Sequence, residues 1–185
     1  MVDLARYLVG EFAEVAAATE IFVKQRKEDG VQREVTTDDA AVFTARFHNG
    51  ALGLFLTSRM AAGHKNRLAV EVNGSKGSLR WDLERLNELE VYTAGDGSAA
   101  GFRNVMVTEA SHPYAGAWWP PGHVLGWEHT FVHQYYEFLK SIAEQRQPAP
   151  SFLDGLRNHE VLDAVAQAAV EKRWIEVPRA RGAEA

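Results

Sequence analysis

Residues 63–92, GHKNRLAVEVNGSKGSLRWDLERLNELEVY, constrain the fold of this chain more than any other segment. Apolar side chains alternate with polar ones in three successive runs, at residues 68–72, 79–81 and 89–93. A period of two is typical of a β-strand with one buried face and one face open to water or to a partner. The first two runs are joined by a turn that contains Gly74 and Gly77. The segment therefore predicts three successive strands of one sheet.

Further periodic segments add strands on both sides of this block. The sequence predicts them at residues 14–23, 40–47, 51–60, 105–108 and 175–177. Asn49-Gly50 lies between the second and the third, and this dipeptide is a strong hairpin signal because it tolerates positive φ. In that hairpin we expect the leucines at 52, 54 and 56 to lie opposite the apolar residues at 43, 45 and 47. The polar residues 24–35 predict a loop.

Helical periodicity predicts three helices beside these strands. The first covers residues 3–9, and the second covers residues 127–143 with an apolar stripe that we expect to be buried. The third runs from Ser151 to about residue 174, and Asp154 completes a capping box at its start. The stripe consists of Phe131, Tyr135, Phe138, Leu139 and Ile142.

Strands that follow one another with short links imply a largely antiparallel sheet. We therefore predict an α+β fold, an open, mostly antiparallel β-sheet with helices packed on one face. A length of 185 residues fits a single domain over residues 1–185, with a frayed tail from about residue 179.

Charge and cysteine content exclude several classes of function. The net charge of -5 argues against a nucleic-acid partner, since phosphate binding needs clustered Lys and Arg. The absence of cysteine excludes disulfides, thiol catalysis and Cys-based zinc sites. The start of the chain, MVDLARYLVGEF, has neither a basic leader nor a long apolar core, and no run approaches membrane-spanning length. We expect a cytoplasmic protein with no membrane partner.

Three stretches of the sequence carry a resemblance to a known family. They are DLARYLVGE, the block at 63–92, and WWPPGHVLGWEHTFVHQYYEFLKSI followed by SFLDGLRNHEVLDAVAQAA. Together they resemble the C-terminal domain of the Gfo/Idh/MocA family of NAD(P)-dependent sugar and inositol dehydrogenases. The resemblance extends over residues 3–177.

The resemblance implies a cofactor domain that this sequence does not contain. In the family, a βαβ domain with a Gly-rich turn binds NAD or NADP, and a Glu-Lys-Pro lysine acts with the Asp and His of Asp-x-x-x-His. Asp3 resembles the Asp that follows this His by three residues, which places the His immediately before Met1. The sequence has no G-x-G-x-x-G, no Glu-Lys-Pro, and no Asp-x-x-x-His at the expected position. We therefore assign no catalytic or cofactor-binding residue, and expect NAD or NADP only in full-length relatives.

Residues 111–126, SHPYAGAWWPPGHVLG, form the candidate substrate site, and we call this segment the aromatic loop. Its prolines and glycines make it irregular. The resemblance implies that this region lines the sugar site. An indole could stack on a sugar ring while an imidazole bonds a hydroxyl. The alternative is a loop packed down by its own aromatic side chains. The candidate residues are His112, Tyr114, Trp118, Trp119 and His123.

His129 and His133 form the main alternative site, because a spacing of four residues on a helix can bind zinc. The pattern is not H-E-x-x-H and no third ligand is evident, so we expect hydrogen bonds at the helix surface and no metal. Two further groups are interpreted as structural. They are the turn with His64, Lys65 and Asn66 near Arg59, and the connection with Glu84, Arg85 and Asn87.

These observations predict the substrate-binding and oligomerisation half of an oxidoreductase for a sugar or polyol, inactive alone. Large apolar residues on both sides of the strand at 51–60 predict a homodimer or tetramer through the open face of the sheet. The alternative is a stand-alone carbohydrate-binding or assembly module without redox activity. A small metalloenzyme built on His129 and His133 is the third possibility. Whether the chain is a truncated frame or a natural stand-alone domain stays open.

Overall fold

The structure, a computed structural model, describes residues 1–178, so the predicted frayed tail lies outside the described residues. The chain divides into two compact units. The first contains residues 1–63 and the segment that begins at Pro150, and the second contains residues 64–149. The α+β fold class is confirmed, because helices accompany strands that pair antiparallel throughout the described sheets.

A four-stranded antiparallel sheet forms the centre of the first unit, in the order β10-β1-β4-β5. Helix α3 packs against β1, and α1 contacts α3. The bounds of these elements are α1 Val2–Leu8, β1 Phe12–Glu20, β4 Ala40–Phe47, β5 Leu52–Ser58, α3 Phe152–Glu171 and β10 Ile175–Glu176. Both the helix at 151–174 and the closing strand at 175–177 are confirmed within a few residues.

The core of the first unit lies between this sheet and α3. Phe43 and Phe55 stack with ring centroids 4.4 Å apart, and Phe12 lies 4.6 Å from Phe47. Ala168 of α3 is fully buried in the same cluster. Burial of each large apolar side chain contributes roughly 1.5–3 kcal/mol, so this cluster dominates the stability of the unit.

The other face of this sheet carries an exposed row of leucines, here called the leucine row. Leu52, Leu54 and Leu56 are 74%, 81% and 68% exposed. They pair with Arg46, Thr44 and Val42, and not with the apolar residues at 43, 45 and 47 as predicted. The predicted pairing was wrong because side chains alternate between faces, and a shift of one residue in register exchanges the two sets.

A second correction concerns residues 24–35, which were predicted to form a loop. They contain a two-stranded hairpin, β2 Gln25–Glu28 and β3 Val31–Glu34, whose strand residues are all exposed. Asp39 anchors its start, because one carboxylate oxygen accepts hydrogen bonds from the backbone N–H groups of Phe22 and Val23, each 2.8 Å long. The hairpin has no apolar alternation to reveal it, since neither face is buried.

The second unit contains an antiparallel sheet in the order β6-β7-β8-β9, together with helix α2. The three strands read from residues 63–92 are confirmed and pair in sequence. The bounds are β6 Ala69–Gly74, β7 Gly77–Asp82, β8 Glu88–Thr93, β9 Arg103–Met106 and α2 Trp127–Ala143. None of the described helices is both long enough and apolar enough to cross a lipid bilayer.

Helix α2 turns a different side inward from the one predicted. The stripe expected to be buried is open, with Tyr135 67% and Leu139 63% exposed. The side that is covered carries His129, His133, Glu137 and Ser141, and Ser141 is 1% exposed. These residues are spaced four apart and therefore share one face. The helix thus packs through polar side chains, and its apolar stripe is uncovered within residues 1–178.

Candidate functional site

The structure brings Tyr114 and Trp118 of the aromatic loop together around His133 of α2. The indole Nε1–H of Trp118 donates a hydrogen bond of 2.7 Å to Nε2 of His133. The ring of Tyr114 stacks on the imidazole of His133, with centroids 4.4 Å apart and planes inclined by 17°. An indole N–H can only donate, so Nε2 of His133 must be unprotonated. The cluster therefore defines one tautomer of a neutral histidine.

His133 has its pKa lowered, first by burial and then by the neighbouring His129. Burial disfavours the charged form of an imidazole, and a second imidazole nearby acts in the same direction. Both effects agree with the tautomer that the Trp118 hydrogen bond requires. The geometry and the electrostatics thus favour a neutral His133 near neutral pH.

Tyr114 is held in a left-handed backbone conformation, with φ at 65°. Residues other than Gly, Asn and Asp pay about 1–2 kcal/mol for this conformation. Two side-chain contacts offset that strain. The ring stacks on His133, and the hydroxyl donates a hydrogen bond of 3.0 Å to the carboxylate of Glu137. The position of this tyrosine is therefore set by α2 and not by local backbone preference.

His129 fixes the end of the aromatic loop where α2 begins. The backbone N–H of Gly126 donates a hydrogen bond of 3.1 Å to Nδ1 of His129. The imidazole also meets the ring of Trp118 edge-on, with centroids 4.4 Å apart. His129 therefore satisfies one of the backbone groups at the helix start, where unpaired N–H groups collect.

Of the other three predicted residues, two make a hydrogen bond to a residue three positions earlier in the chain, and the third makes none in the described residues. Trp119 is 58% exposed and has no hydrogen bond or ring contact in the described part of the chain. Nδ1 of His123 lies 2.9 Å from the carbonyl oxygen of Pro120, so it donates. Nδ1 of His112 accepts from the backbone N–H of Glu109 at 3.0 Å. The structure thus groups two of the five candidates around His133 and leaves Trp119 and His123 facing solvent.

The connection at residues 83–87 orients both neighbouring segments, as interpreted from sequence. The amide of Asn87 donates to the carbonyl of Leu125 at 2.7 Å and accepts from its N–H at 2.9 Å. Glu84 accepts from the backbone N–H groups of Lys65 and Asn66, at 2.6 and 2.9 Å. These bonds lower the pKa of Glu84, with the Asn66 N–H as the largest cause. Polar side chains here hold backbone in place.

The second unit also has an open cavity of about 500 Å³ beside this connection. Its walls include Met106, Val124 and Trp127, with Lys65 and Arg85 among the polar residues. None of the five predicted site residues lines it. Arg85 pairs with Glu88, so its guanidinium is already neutralised.

Both histidines of the pair already accept hydrogen bonds in this arrangement. Within residues 1–178, no three His, Cys, Asp or Glu side chains lie close enough together to hold a metal ion. One nitrogen of each imidazole is already occupied, Nε2 of His133 by Trp118 and Nδ1 of His129 by Gly126.

The glycine-containing turn of the second unit does not fit a dinucleotide. The turn with Gly74 and Gly77 joins antiparallel strands β6 and β7, so no helix N-terminus follows to hold a pyrophosphate. The missing side chain of Gly77 serves strand packing instead, because a Cβ there would lie 2.2 Å from the carbonyl oxygen of Tyr92.

Comparisons with known proteins give the family. A profile described as "oxidoreductase family, C-terminal alpha/beta domain", of Gfo/Idh/MocA, matches residues 1–177. This chain belongs to that family. The resemblance drawn from the sequence is thereby confirmed.

Individual Gfo/Idh/MocA relatives support the assignment. A levoglucosan dehydrogenase of Pseudarthrobacter phenanthrenivorans is 34% identical over 195 residues, which cover 97% of this chain and 50% of that enzyme. An oxidoreductase domain protein from Kribbella flavida has a TM-score of 0.92 and 48% identity, covering 96% of this chain and 48% of that one. A levoglucosan dehydrogenase solved with NADH and L-sorbose has a TM-score of 0.92 at 36% identity, and the match covers 97% of this chain and 48% of that one. The chain therefore spans about half the length of these relatives.

Sequence reasoning missed the role of His133 and Glu137 in organising the loop. It treated the histidines as a possible metal pair and the aromatic stripe as the buried side. The spacing of His129, His133, Glu137 and Ser141 by four residues carried the signal. A polar row on a helix is usually solvated, so its burial could be read only once the partner loop was in place.

Proposed function

We propose that this Gfo/Idh/MocA domain is the substrate-binding and oligomerisation half of an NAD(P)-dependent oxidoreductase that acts on a sugar or polyol. The observation that carries the proposal is the aromatic loop, which α2 holds through His133 and which presents the exposed indole of Trp119. Exposed aromatic faces beside polar groups suit the apolar faces and hydroxyls of a sugar ring. The chain alone is expected to bind substrate without turning it over, and to bind no nicotinamide cofactor.

The exposed apolar stripe of α2 supports a role as one part of a larger protein. Phe131, Tyr135, Phe138, Leu139 and Ile142 are each at least 46% exposed. Contiguous apolar surface of this kind is rare on a free-standing soluble protein and is typical of interfaces. A relative of similar fold was solved with NADH and L-sorbose, and another structure of a levoglucosan dehydrogenase contains NADH and levoglucosan.

Saturation-transfer NMR on the purified chain tests sugar binding. The ligands are anhydrosugars, ketoses and inositols, each offered without cofactor. We expect saturation transfer to at least one ligand, and we expect Trp119→Ala to weaken its binding about tenfold, which corresponds to 1.4 kcal/mol of lost stacking. Trp174→Ala is the matched control, because this tryptophan lies in the first unit and outside the aromatic loop. Equal losses in both variants, or no binding to any ligand, would argue against the assigned loop residues.

The leucine row supports the proposed assembly through the sheet. Its residues project from the face of the first-unit sheet opposite the Phe43 cluster, and the described residues do not cover them. A second copy of this face would bury them symmetrically, as in most homodimers. We propose a homodimer or a tetramer built through this face.

The alternative is a stand-alone carbohydrate-binding or assembly module without redox activity. The absence of a G-x-G-x-x-G segment from residues 1–178 keeps it open. The mass of the endogenous polypeptide in a native lysate separates the two. A band near twice the 20.6 kDa of this chain favours a conventional dehydrogenase, and cofactor-dependent oxidation is then sought on that protein. A band at 20.6 kDa favours the module.

A further inference from the structure

The aromatic loop is fastened to α2 by two hydrogen bonds in which a histidine accepts. Trp118 Nε1–H donates to Nε2 of His133, and the N–H of Gly126 donates to Nδ1 of His129. Neither donor has a lone pair with which it could accept instead. Each bond therefore exists only while that nitrogen is unprotonated. The position of the loop depends on the protonation state of two side chains on one helix face.

We propose that His129 and His133 are positioning residues for the aromatic loop that act only as neutral imidazoles, so that mild acid releases the loop. A proton on Nε2 of His133 would point toward the indole N–H of Trp118. Two donors cannot bond to each other, so the hydrogen bond from Trp118 would be lost. A proton on Nδ1 of His129 would do the same to Gly126. Because the two histidines are four residues apart on a helix, a charge on His129 disfavours a charge on His133.

Other charged groups near the pair are few and partly neutralised. From α2 itself, Glu128 lies 3.6 Å from Nδ1 of His129, and Glu137 accepts a hydrogen bond from the hydroxyl of Tyr114. Arg146, after the helix, donates to Glu137 at 3.0 Å and offsets its charge. The Glu128 side chain is 77% exposed, so water and salt screen its charge. From the loop, the titratable side chains are His112, Tyr114 and His123, and the ring of Tyr114 stacks on His133.

The direction of the pH effect follows from His133. Its pKa lies below the ordinary value of about 6.5 because the ring is buried and faces His129. The unfolded chain therefore binds more protons than the native chain between the native pKa and 6.5. The contribution of neutral His133 to the free energy of unfolding is fully present above pH 6.5. This contribution is lost as the pH falls through the native pKa of His133. Local opening of the loop relieves this penalty without unfolding the unit.

The strained backbone of Tyr114 adds a driving force for release. Its positive φ persists because its ring stacks on His133 and its hydroxyl binds Glu137. When His133 no longer anchors Trp118, the backbone of Tyr114 can relax to a less strained conformation. Released strain of this kind is one way in which proteins make a loop bistable.

The test follows the indole N–H signal of Trp118 by two-dimensional NMR of the whole chain between about pH 8 and pH 5. We expect one titration step with a midpoint below 6.5, accompanied by loss of hydrogen-exchange protection at Trp118 and Gly126. The variant His133→Gln keeps an acceptor that cannot titrate, so the Trp118 step should vanish while protection persists. His159→Gln, on α3, is the matched control and should leave the step unchanged.

A Trp118 signal that stays constant over this range, or a step that survives in His133→Gln, overturns the proposal. If His133→Gln does not fold, His129→Gln provides the same comparison at the Gly126 amide. No sugar is present in these measurements, so failure of the proposed pH-dependent release of the loop is distinguishable from failure of the proposed sugar binding.

Discussion

Arg6 shows how much one side chain can connect. It lies on α1, and its side chain is only 7% exposed. Its guanidinium donates to both carboxylate oxygens of Glu11 at 2.9 and 2.8 Å, to the carbonyl of Asp154 at 3.0 Å, and to Asn158 at 3.1 Å. A planar fork of five N–H donors can make all these bonds at once, whereas a lysine cannot. One cation therefore fastens α1 to α3.

Replacing this arginine should destabilise the first unit. We expect Arg6→Ala to lower the free energy of unfolding by about 2–4 kcal/mol, because a hydrogen-bonded and nearly buried charge is lost while its partners remain. Arg173→Ala is the control, since its side chain is 61% exposed and its pairing should contribute less than about 1 kcal/mol. Urea unfolding followed by circular dichroism measures both. Equal effects would show that the Arg6 network adds nothing beyond a surface pair.

At the scale of elements, burial decided which sequence predictions succeeded. The strands of residues 63–92 and the bounds of α2 follow from local periodicity and are confirmed. The inward side of α2 depended on Trp118 and Tyr114, which come from a loop without regular pattern. The residues that lie opposite the leucine row on β4 depend on the register between the two strands, and periodicity cannot specify that register. The exposed β2–β3 hairpin has no buried face and so leaves no hydrophobic signal.

The start of α3 gives a prediction at this scale. Asp154 accepts from the backbone N–H and the hydroxyl of Ser151 at 2.7 and 2.9 Å, and the Ser151 N–H is the largest cause of its lowered pKa. A lowered carboxylate pKa stabilises the native state above the ordinary value of about 3.8, and this stability is lost as the pH falls through the native pKa. We expect Asp154→Ala to lower the unfolding free energy by about 1 kcal/mol at neutral pH.

The difference between Asp154→Ala and the wild type should shrink as the pH falls below about 3.8. Asp163→Ala, on the same helix, is the control because its carboxylate makes no hydrogen bond or ion pair in the described residues. Thermal melts over a pH series measure the effect. A difference that is independent of pH would mean that the carboxylate acts through packing and not through its charge.

At the scale of the whole molecule, we expect the exposed apolar surface to govern how the protein associates in solution. The leucine row is a set of large aliphatic side chains on an ordered sheet, where rigid presentation favours specific association over loose contact. With a net charge of -5, long-range repulsion between copies is weak at physiological salt.

Leu54→Glu should therefore convert the proposed oligomer into a monomer. A carboxylate at the centre of a buried face would be unpaired and would repel its symmetry mate, so we expect at least a hundredfold weaker association, or about 3 kcal/mol. Light scattering after size exclusion at micromolar concentration measures the mass. Ser58→Glu adds the same charge at the end of β5 and should leave the mass unchanged. A wild-type chain that is already a monodisperse monomer would contradict assembly through this face.

The order of the two units along the chain also determines how the protein can be synthesised. Residues 64–149 interrupt the first unit, so β1, β4 and β5 leave the ribosome long before α3, which packs against β1. The second unit can complete its contacts first, although it begins later. Until residues 150–178 emerge, the phenylalanine cluster of the first unit is without its cover. Translational pauses within residues 64–149 would therefore lengthen the time in which nascent chains need a chaperone.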